Sequence, residues 1–449
     1  MGDPPRQELS ILTRLALPVV LTQIGWMTMG LVDVWMVGRL GKEALASVAL
    51  GDLWIFGTMI VAMGILFGLD PLVSQAHGAR RGERAGLFLQ RGVVLALLLS
   101  LPLMLLWSWT KPALIGLGQQ PDLGAQAQVY AGAQVFSAAP MLVFVALRQY
   151  LQGRGIMRAG LWITLFANVV NAVLNWGLIF GHFGFPELGV RGAGIATGIT
   201  RAFMMGALIL WTRAFRLHHG AWIPWSRAAL RPSGLLEVLR SGGPVGIQYG
   251  LEVWAFQVAS LFAGRIGAGP LAAHTIVLKF ASLSFMVPYG ISIAAATRVG
   301  NLIGAGDPRR ARRAAWIAIG MGAGGMLCFA LVFVLLRHWL PARFSSEPEV
   351  LHLAAAVLPI AAAFQLFDGT QVVGGGILRG MGNTLPAALF NLLGYYALAI
   401  PFAWWLTFAR GWGLEGVWWG LCAGLGAVSA LLLLWIARRG PGAGGSRIT

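Results

Sequence analysis

Charge is scarce in this sequence. Of 449 residues only 11% are charged and 16 are acidic, whereas 57% are hydrophobic. A soluble domain is about a quarter charged, so a globular enzyme surrounded by water is excluded as the default. Cysteine is almost missing too. Cys328 and Cys422 both fall in apolar stretches, which leaves neither a disulfide framework nor a cysteine metal site. The start, Met1-Gly-Asp-Pro-Pro-Arg, lacks the short apolar region and small-residue cleavage site of a secretory leader. The first apolar run is therefore expected to stay in the membrane and the whole chain to persist. Gly192-Ala-Gly-Ile-Ala-Thr-Gly198 has neither the preceding strand nor the lysine of a phosphate loop. There is no His-Glu-x-x-His zinc motif and no defensible Ser/His/Asp order, so no enzyme and no cofactor are expected. What remains as an energy source is an ion gradient.

Long apolar runs dominate what is present. Windows able to span a bilayer fall at about 14–37, 46–73, 88–110, 128–150, 160–181 and 192–213, then at about 240–263, 272–297, 313–336, 350–375, 386–408 and 414–436. The expected fold is an all-α integral membrane protein with twelve transmembrane helices. The formal charge of +17 would suggest nucleic acid for a soluble chain, but here the arginines sit between apolar runs. Alternate connections carry Arg80, Arg81 and Arg84, then Arg154 and Arg158, then Arg309, Arg310, Arg312 and Arg313, with Arg379 and the pair Arg438 and Arg439 on the same side. The opposite connections hold few cations, among them Arg39, Lys42, Lys111 and Arg191. The positive-inside rule then places both termini in the cytoplasm, with a lipid bilayer and no nucleic acid as partner.

A polar stretch at 214–239 divides the chain into residues 1–213 and 240–449. Sliding the sequence by 226 residues lays Pro18 on Pro244, Gly38-Arg39 on Gly264-Arg265, Gly64 on Gly290 and Arg84-Ala85 on Arg310-Ala311. At a shift of 227, Gly153 and Gly155 meet Gly380 and Gly382. Such constancy indicates a duplicated six-helix unit. An even helix count keeps the two lobes parallel, and transporters built this way place substrate between their halves, so a central cavity is expected.

Acidic groups within the spans are costly, from about 2.5 kcal/mol each at the bilayer centre, and mark working sites. Five qualify: Asp33, Asp52, Asp70, Glu252 and Asp368. Arg201 and Lys279 stand out as in-span cations, too few to pair with all five. Glu252 and Asp368 lie deep in apolar sequence, where a carboxyl group can take up a proton in a dry cavity and release it when a cation arrives. Asp33 has Asn171 and Asn175 as candidate partners, two amides at i, i+4 on one helical face. Oxygen ligands of this kind suit Na⁺ and not a soft metal. Asp52 and Asp70 are weaker candidates, since Asp70 precedes Pro71 near a span end, where it can cap a broken turn or reach interfacial water. Pro18 and Pro244 are expected hinges, because proline inside a helix frees carbonyls and permits bending. Trp26 and Trp254, near those helix centres, are candidates for stacking on a planar cation. His77 and His274 are expected to be packed or interfacial. Gly194/Gly198 and Gly420/Gly424 are expected at close helix contacts.

Several of these stretches resemble the multidrug and toxic compound extrusion (MATE) family, in its NorM-like branch. They are Leu31-Val-Asp-Val-Trp-Met-Val-Gly-Arg-Leu-Gly41 with Ala44-Leu-Ala46, Pro71-Leu-Val-Ser-Gln-Ala-His-Gly78-Ala79, Pro244 through Glu252 to Phe256, and Phe367-Asp368 with Leu378-Arg-Gly380-x-Gly382-Asn. The likeness runs from about residue 10 to 440. It implies a drug exporter working by alternating access and Na⁺ or H⁺ antiport, monomeric, in the inner membrane, acting on cationic aromatic compounds. By position it implies Asp33, Asn171 and Asn175 as the ion site of the first lobe, and Glu252 and Asp368 as ion- and drug-binding carboxylates of the second. Phe364 departs from the pattern, since some relatives carry tyrosine there. A lipid-linked glycan flippase of the wider superfamily is the alternative, disfavoured because its pyrophosphate would need basic residues that the spans almost lack.

Overall fold

The computed structural model describes residues 5–442, and those residues form helices and turns with no strand. Twelve long helices follow in order. The first six are α1 (Pro5–Gly38), α2 (Lys42–Gly78), α3 (Gly82–Ser108), α4 (Pro121–Gly153), α5 (Arg158–Phe180) and α6 (Gly189–Ala214). The second six are α7 (Pro232–Ile266), α8 (Ala268–Gly304), α9 (Pro308–Leu335), α10 (Pro348–Gly380), α11 (Leu385–Ala409) and α12 (Gly413–Arg439). All but α7 are long and apolar enough to cross a bilayer. At 35 residues α7 is also long enough, but Arg240, Gln248, Glu252 and Gln257 are spread along it. The leader expectation for Met1–Pro4 and the extreme C-terminus, 443–449, lie outside the described residues.

Duplication is visible helix by helix. The lengths run 34, 37, 27, 33, 23 and 26 residues in the first half and 35, 37, 28, 33, 25 and 27 in the second. Equivalent turns also share backbone shape: Gly41 after α1 has φ 115°, and Arg80 after α2 and Gly306 after α8 both adopt left-handed φ, at 57° and 77°. Only glycine takes the Gly41 conformation without steric cost. Three helices are irregular. Gly68 interrupts α2, a 3₁₀ turn at Val135–Ser137 interrupts α4, and α11 has π-helical stretches at Leu392–Ala399 and Trp405–Ala409.

The chain packs as two compact units. One is Leu21–Gly246; the other joins the described residues before Leu21 to those from Ile247 onward. The sequence suggests divisions at 213 and 240, and the packing differs from them in two ways. The first segments of α1 and α7 are exchanged, and the exchange points, Val20/Leu21 and Gly246/Ile247, are equivalent at the 226-residue shift, two residues beyond Pro18 and Pro244. The connection before α7 is also no free linker. Gln90 of α3 donates to the carbonyls of Ile223 and Pro224 at 3.0 Å, Tyr150 of α4 donates to that of Ala221 at 2.7 Å, and Arg154 holds that of His219 at 2.9 Å. Peptide groups that would otherwise lie unpaired against the bundle are thus satisfied.

Each exchanged segment is pinned by ions. On α1, Glu8 is fully buried and accepts two bonds from Arg298 of α8, at 2.6 and 3.0 Å, and one from Arg310 of α9 at 3.2 Å. On α7, Glu237 pairs with Arg84 and Arg91 of α3 at 3.2 and 2.9 Å. Arg84 and Arg310 are repeat equivalents, so one device is used twice.

Inside each unit the helices meet through small residues. Lipid is as apolar as leucine, so helices gain most from close van der Waals approach. Gly64 and Gly68 of α2 lie against Gly246 and Gly242 of α7, and Gly194 of α6 against the Tyr130 carbonyl of α4. Gly420 and Gly424 of α12 lie against Ala403 and Ala399 of α11. Gly198, expected at such a contact, has only ordinary spacing, its nearest neighbour being the Ala133 carbonyl. Outward faces are apolar: Leu101 and Leu105, one turn apart on α3, are 62% and 61% exposed.

Candidate ion and substrate sites

In the unit Leu21–Gly246, α1 supplies Asp33 and α5 supplies Asn171 and Asn175. The two asparagines point the same way because they are one turn apart. The Asn175 amide donates to the Asp33 carboxylate and, at 3.2 Å, to the Asn171 carbonyl oxygen. Asn171 and Asn175 are fully buried and Asp33 is 9% exposed. Asn168 stays out, its amide turned back onto the Thr164 carbonyl at 2.8 Å.

The same cluster contains groups that sequence reasoning undervalues. Asp52 of α2 accepts a bond of 2.7 Å from the Tyr130 hydroxyl of α4 and lies within electrostatic range of Asp33. Arg201 of α6 acts on both acids and donates to Ser137 at 3.0 Å. Both carboxylates therefore lie within electrostatic range of one buried guanidinium. Asp52 stands out little in the sequence because nothing around it announces Tyr130, 78 residues away.

In the other unit, Glu252 of α7 and Asp368 of α10 are buried and within electrostatic range of each other. Gln371, three residues after Asp368 and so on the same face of α10, bonds to Glu252. Its amide also donates to Asn391 of α11 at 3.2 Å. Tyr395 of α11 lies within electrostatic range of both carboxylates and is fully buried. Neither acid forms an ion pair among the described residues. Lys279 is exposed on α8 and plays no part. Among the described residues the Tyr395 hydroxyl, the Gln371 carbonyl oxygen and the Asn391 amide nitrogen have no hydrogen-bond partner. Each such buried group costs about 1–3 kcal/mol. No group of three or more His, Cys, Asp or Glu that could hold a metal occurs among the described residues.

Other candidates are placed differently. Trp254 is two residues from Glu252, hence on another face of α7, and is 46% exposed; it does not join the carboxylates. Trp26 is partly buried, with its ring 6.5 Å from that of Phe144. Asp70 is buried in the first turn after the break at Gly68, where a negative charge suits the helix terminus, and does not reach interfacial water. His274 is packed, with its Nε2 3.1 Å from the Ser260 hydroxyl and its ring against Trp418. The count of in-span cations needs correction: Arg91 and Arg148 also lie within the apolar windows, and Arg148 is 4% exposed. Arg379, counted among the connecting segments, lies buried near the end of α10 and donates to the Tyr249 hydroxyl at 3.1 Å.

The MatE family model matches residues 18–177 and again 244–405, two copies that start 226 residues apart. The Multidrug resistance protein NorM of Burkholderia vietnamiensis is 37% identical over 428 residues, covering 94% of this chain and 92% of that protein. A probable multidrug resistance protein NorM of Pseudomonas putida is 36% identical over 96% of this chain and 95% of its own length. Among solved structures, the eukaryotic MATE transporter AtDTX14 superposes with a TM-score of 0.89 at 26% identity, covering 97% of this chain and 96% of that one. A point mutant of the Vibrio cholerae MATE transporter VcmN shares the fold at 20% identity and a TM-score of 0.86, covering 98% of this chain and 99% of that one. With both halves matched and NorM proteins aligned along nearly its whole length, the chain belongs to the MATE family.

Proposed function

We propose that this protein is a multidrug efflux antiporter that exports cationic, aromatic compounds in exchange for Na⁺ or H⁺. The observation that carries this is the buried pair Glu252 and Asp368, two acids in apolar surroundings with no fixed counter-charge among the described residues. Such groups persist in a membrane only if something mobile neutralises them. If the coupling ion and the drug are both cations competing for these carboxylates, the two are never bound together and leak is suppressed. The cluster of Asp33, Asn171 and Asn175 holds a second coupling ion or proton, while Pro18 and Pro244 act as hinges during alternating access. The substrates follow from the sign of the site, and from relatives that carry the name multidrug resistance protein. Those names also count against the glycan flippase. The protein is expected to work as a monomer in the inner membrane with both termini cytoplasmic.

Stoichiometry determines the energetics. One charge moving across 100 mV releases about 2.3 kcal/mol, but a one-for-one exchange of monovalent cations cancels the voltage and leaves only the chemical gradient. The test is transport of ethidium by purified protein in liposomes. Export is expected only with an imposed Na⁺ or proton gradient, and activity without either refutes antiport. Glu252→Gln and Asp368→Asn are each expected to cut coupled export at least tenfold with normal expression; wild-type export by both variants removes the carboxylates from the mechanism.

A further inference from the structure

Residues 215–231 join α6 to α7 and belong wholly to the unit Leu21–Gly246. Arg213, in the last turn of α6, is followed by Arg216, Arg227 and Arg231, and no acid occurs from 214 to 236. Setting topology requires only charge, so a connection of this kind can stay loose. This one is fastened down. Besides the bonds that its carbonyls accept from Gln90, Tyr150 and Arg154, the Ser226 amide donates back to Gln90 at 3.4 Å. Gly82 and Gly86 let the strap lie directly on the start of α3, where a methyl group on either would collide with the carbonyl oxygen of Gly220 or Ala221. Ala221 and Ala229 are buried on its inner side.

What the strap leaves outside is cationic and aromatic together. All four arginines are exposed, and so are Phe215, Trp222, Trp225 and Leu230. Tryptophan is favoured at the level of lipid headgroups, where its ring meets acyl chains and its N–H meets polar groups. A guanidinium binds phosphate through two parallel hydrogen bonds. Next to the strap, the turn into α3 adds Arg80, Arg81 and Arg84 around one acid, Glu83. Both ends of the strap run into long helices of the bundle, which keeps it at the membrane surface.

We propose that residues 213–231 form a docking strap for anionic phospholipid, whose phosphates pair with Arg213, Arg216, Arg227 and Arg231 while Trp222 and Trp225 sit among the headgroups. Anionic leaflets attract basic segments next to a spanning helix, and a backbone already fixed leaves little ordering cost to be met on binding. The proposal does not depend on antiport.

The experiment follows melting of the full chain in dodecyl maltoside, a neutral detergent, as phosphatidylglycerol or phosphatidylcholine is added. Wild type is expected to be stabilised by phosphatidylglycerol and little by phosphatidylcholine. Arg227→Gln/Arg231→Gln and Arg213→Gln/Arg216→Gln are each expected to raise the half-saturating phosphatidylglycerol concentration about tenfold, or about 1.4 kcal/mol, with melting in detergent alone unchanged. Should one pair fail to fold, the other carries the test. Trp225→Ala is expected to raise it by a smaller factor. Arg438→Gln/Arg439→Gln removes the same charge outside the strap and is expected to respond as wild type. Equal stabilisation by phosphatidylcholine, a wild-type response in both strap pairs, or an equal loss in the Arg438/Arg439 control overturns the proposal. So does stabilisation by soluble polyglutamate as strong as that by phosphatidylglycerol, which would point to an acidic protein instead of lipid.

Discussion

Among single residues, Asp33 and Arg201 offer separate tests of coupling and of stability. The Asp33 carboxylate receives the Asn175 amide, and an asparagine at position 33 keeps an acceptor for that bond. Asp33→Asn is therefore expected to change stability by no more than about 1 kcal/mol while disrupting ion coupling. Arg201→Met is expected to do the reverse first, lowering stability by up to about 3 kcal/mol because Asp52 loses its counter-charge inside the bundle. Melting of the purified variants, set beside ion-dependent efflux, checks both; an unfolded Asp33→Asn would assign that residue a structural role. Much of this is legible in the sequence. Asp33, Glu252 and Asp368 announce themselves because an acid inside an apolar run is conspicuous, and Asn171 and Asn175 because their spacing matches one helical turn. Tyr130, Gln371, Asn391 and Tyr395 do not, since a neutral polar residue in a span is unremarkable until its neighbours are known.

Among helices, proline and glycine play opposite parts. Gly420 and Gly424 allow α12 to touch α11 backbone to backbone, so a side chain there has nowhere to go. Gly420→Val is expected to abolish a monodisperse peak in size-exclusion chromatography, because overpacking at a helix contact costs about 1–3 kcal/mol or more and the backbones cannot part without losing the rest of the seam. Pro18 and Pro244 stand two residues before the points where α1 and α7 pass from one unit to the other. Pro244→Ala is expected to leave melting unchanged or raised and to slow transport; an unaltered rate would deny the hinge. The glycine pairs are visible as a pattern, although Gly198 shows that i, i+4 spacing alone does not guarantee contact.

Across the full chain, two features act together. Twelve helices of matched lengths come from one six-helix unit written twice, and arginine is concentrated in alternate connections. A C-terminal fluorescent protein fusion is expected to be bright and a C-terminal alkaline phosphatase fusion inactive, as for a cytoplasmic end. The opposite pair of signals would invert the topology. The duplication extends to the scaffold and not to the chemistry: at the 226-residue shift Glu252 falls on Trp26 and Asp33 on Ala259. The halves share helix lengths, turns and arginine anchors such as Arg84 and Arg310, and differ in the groups they bury.

Hydropathy, charge asymmetry and internal repetition are properties of the chain read in order, and membrane insertion responds to them in order. The helix count, the two halves and the buried acids were therefore available without coordinates. The exchange of the first segments of α1 and α7, the docking of residues 217–224 onto α3 and α4, and the packing of Tyr395 against Phe256 depend on contacts between residues far apart in sequence. No local pattern encodes those contacts, because they are chosen by how long helices fit together at close range within each unit.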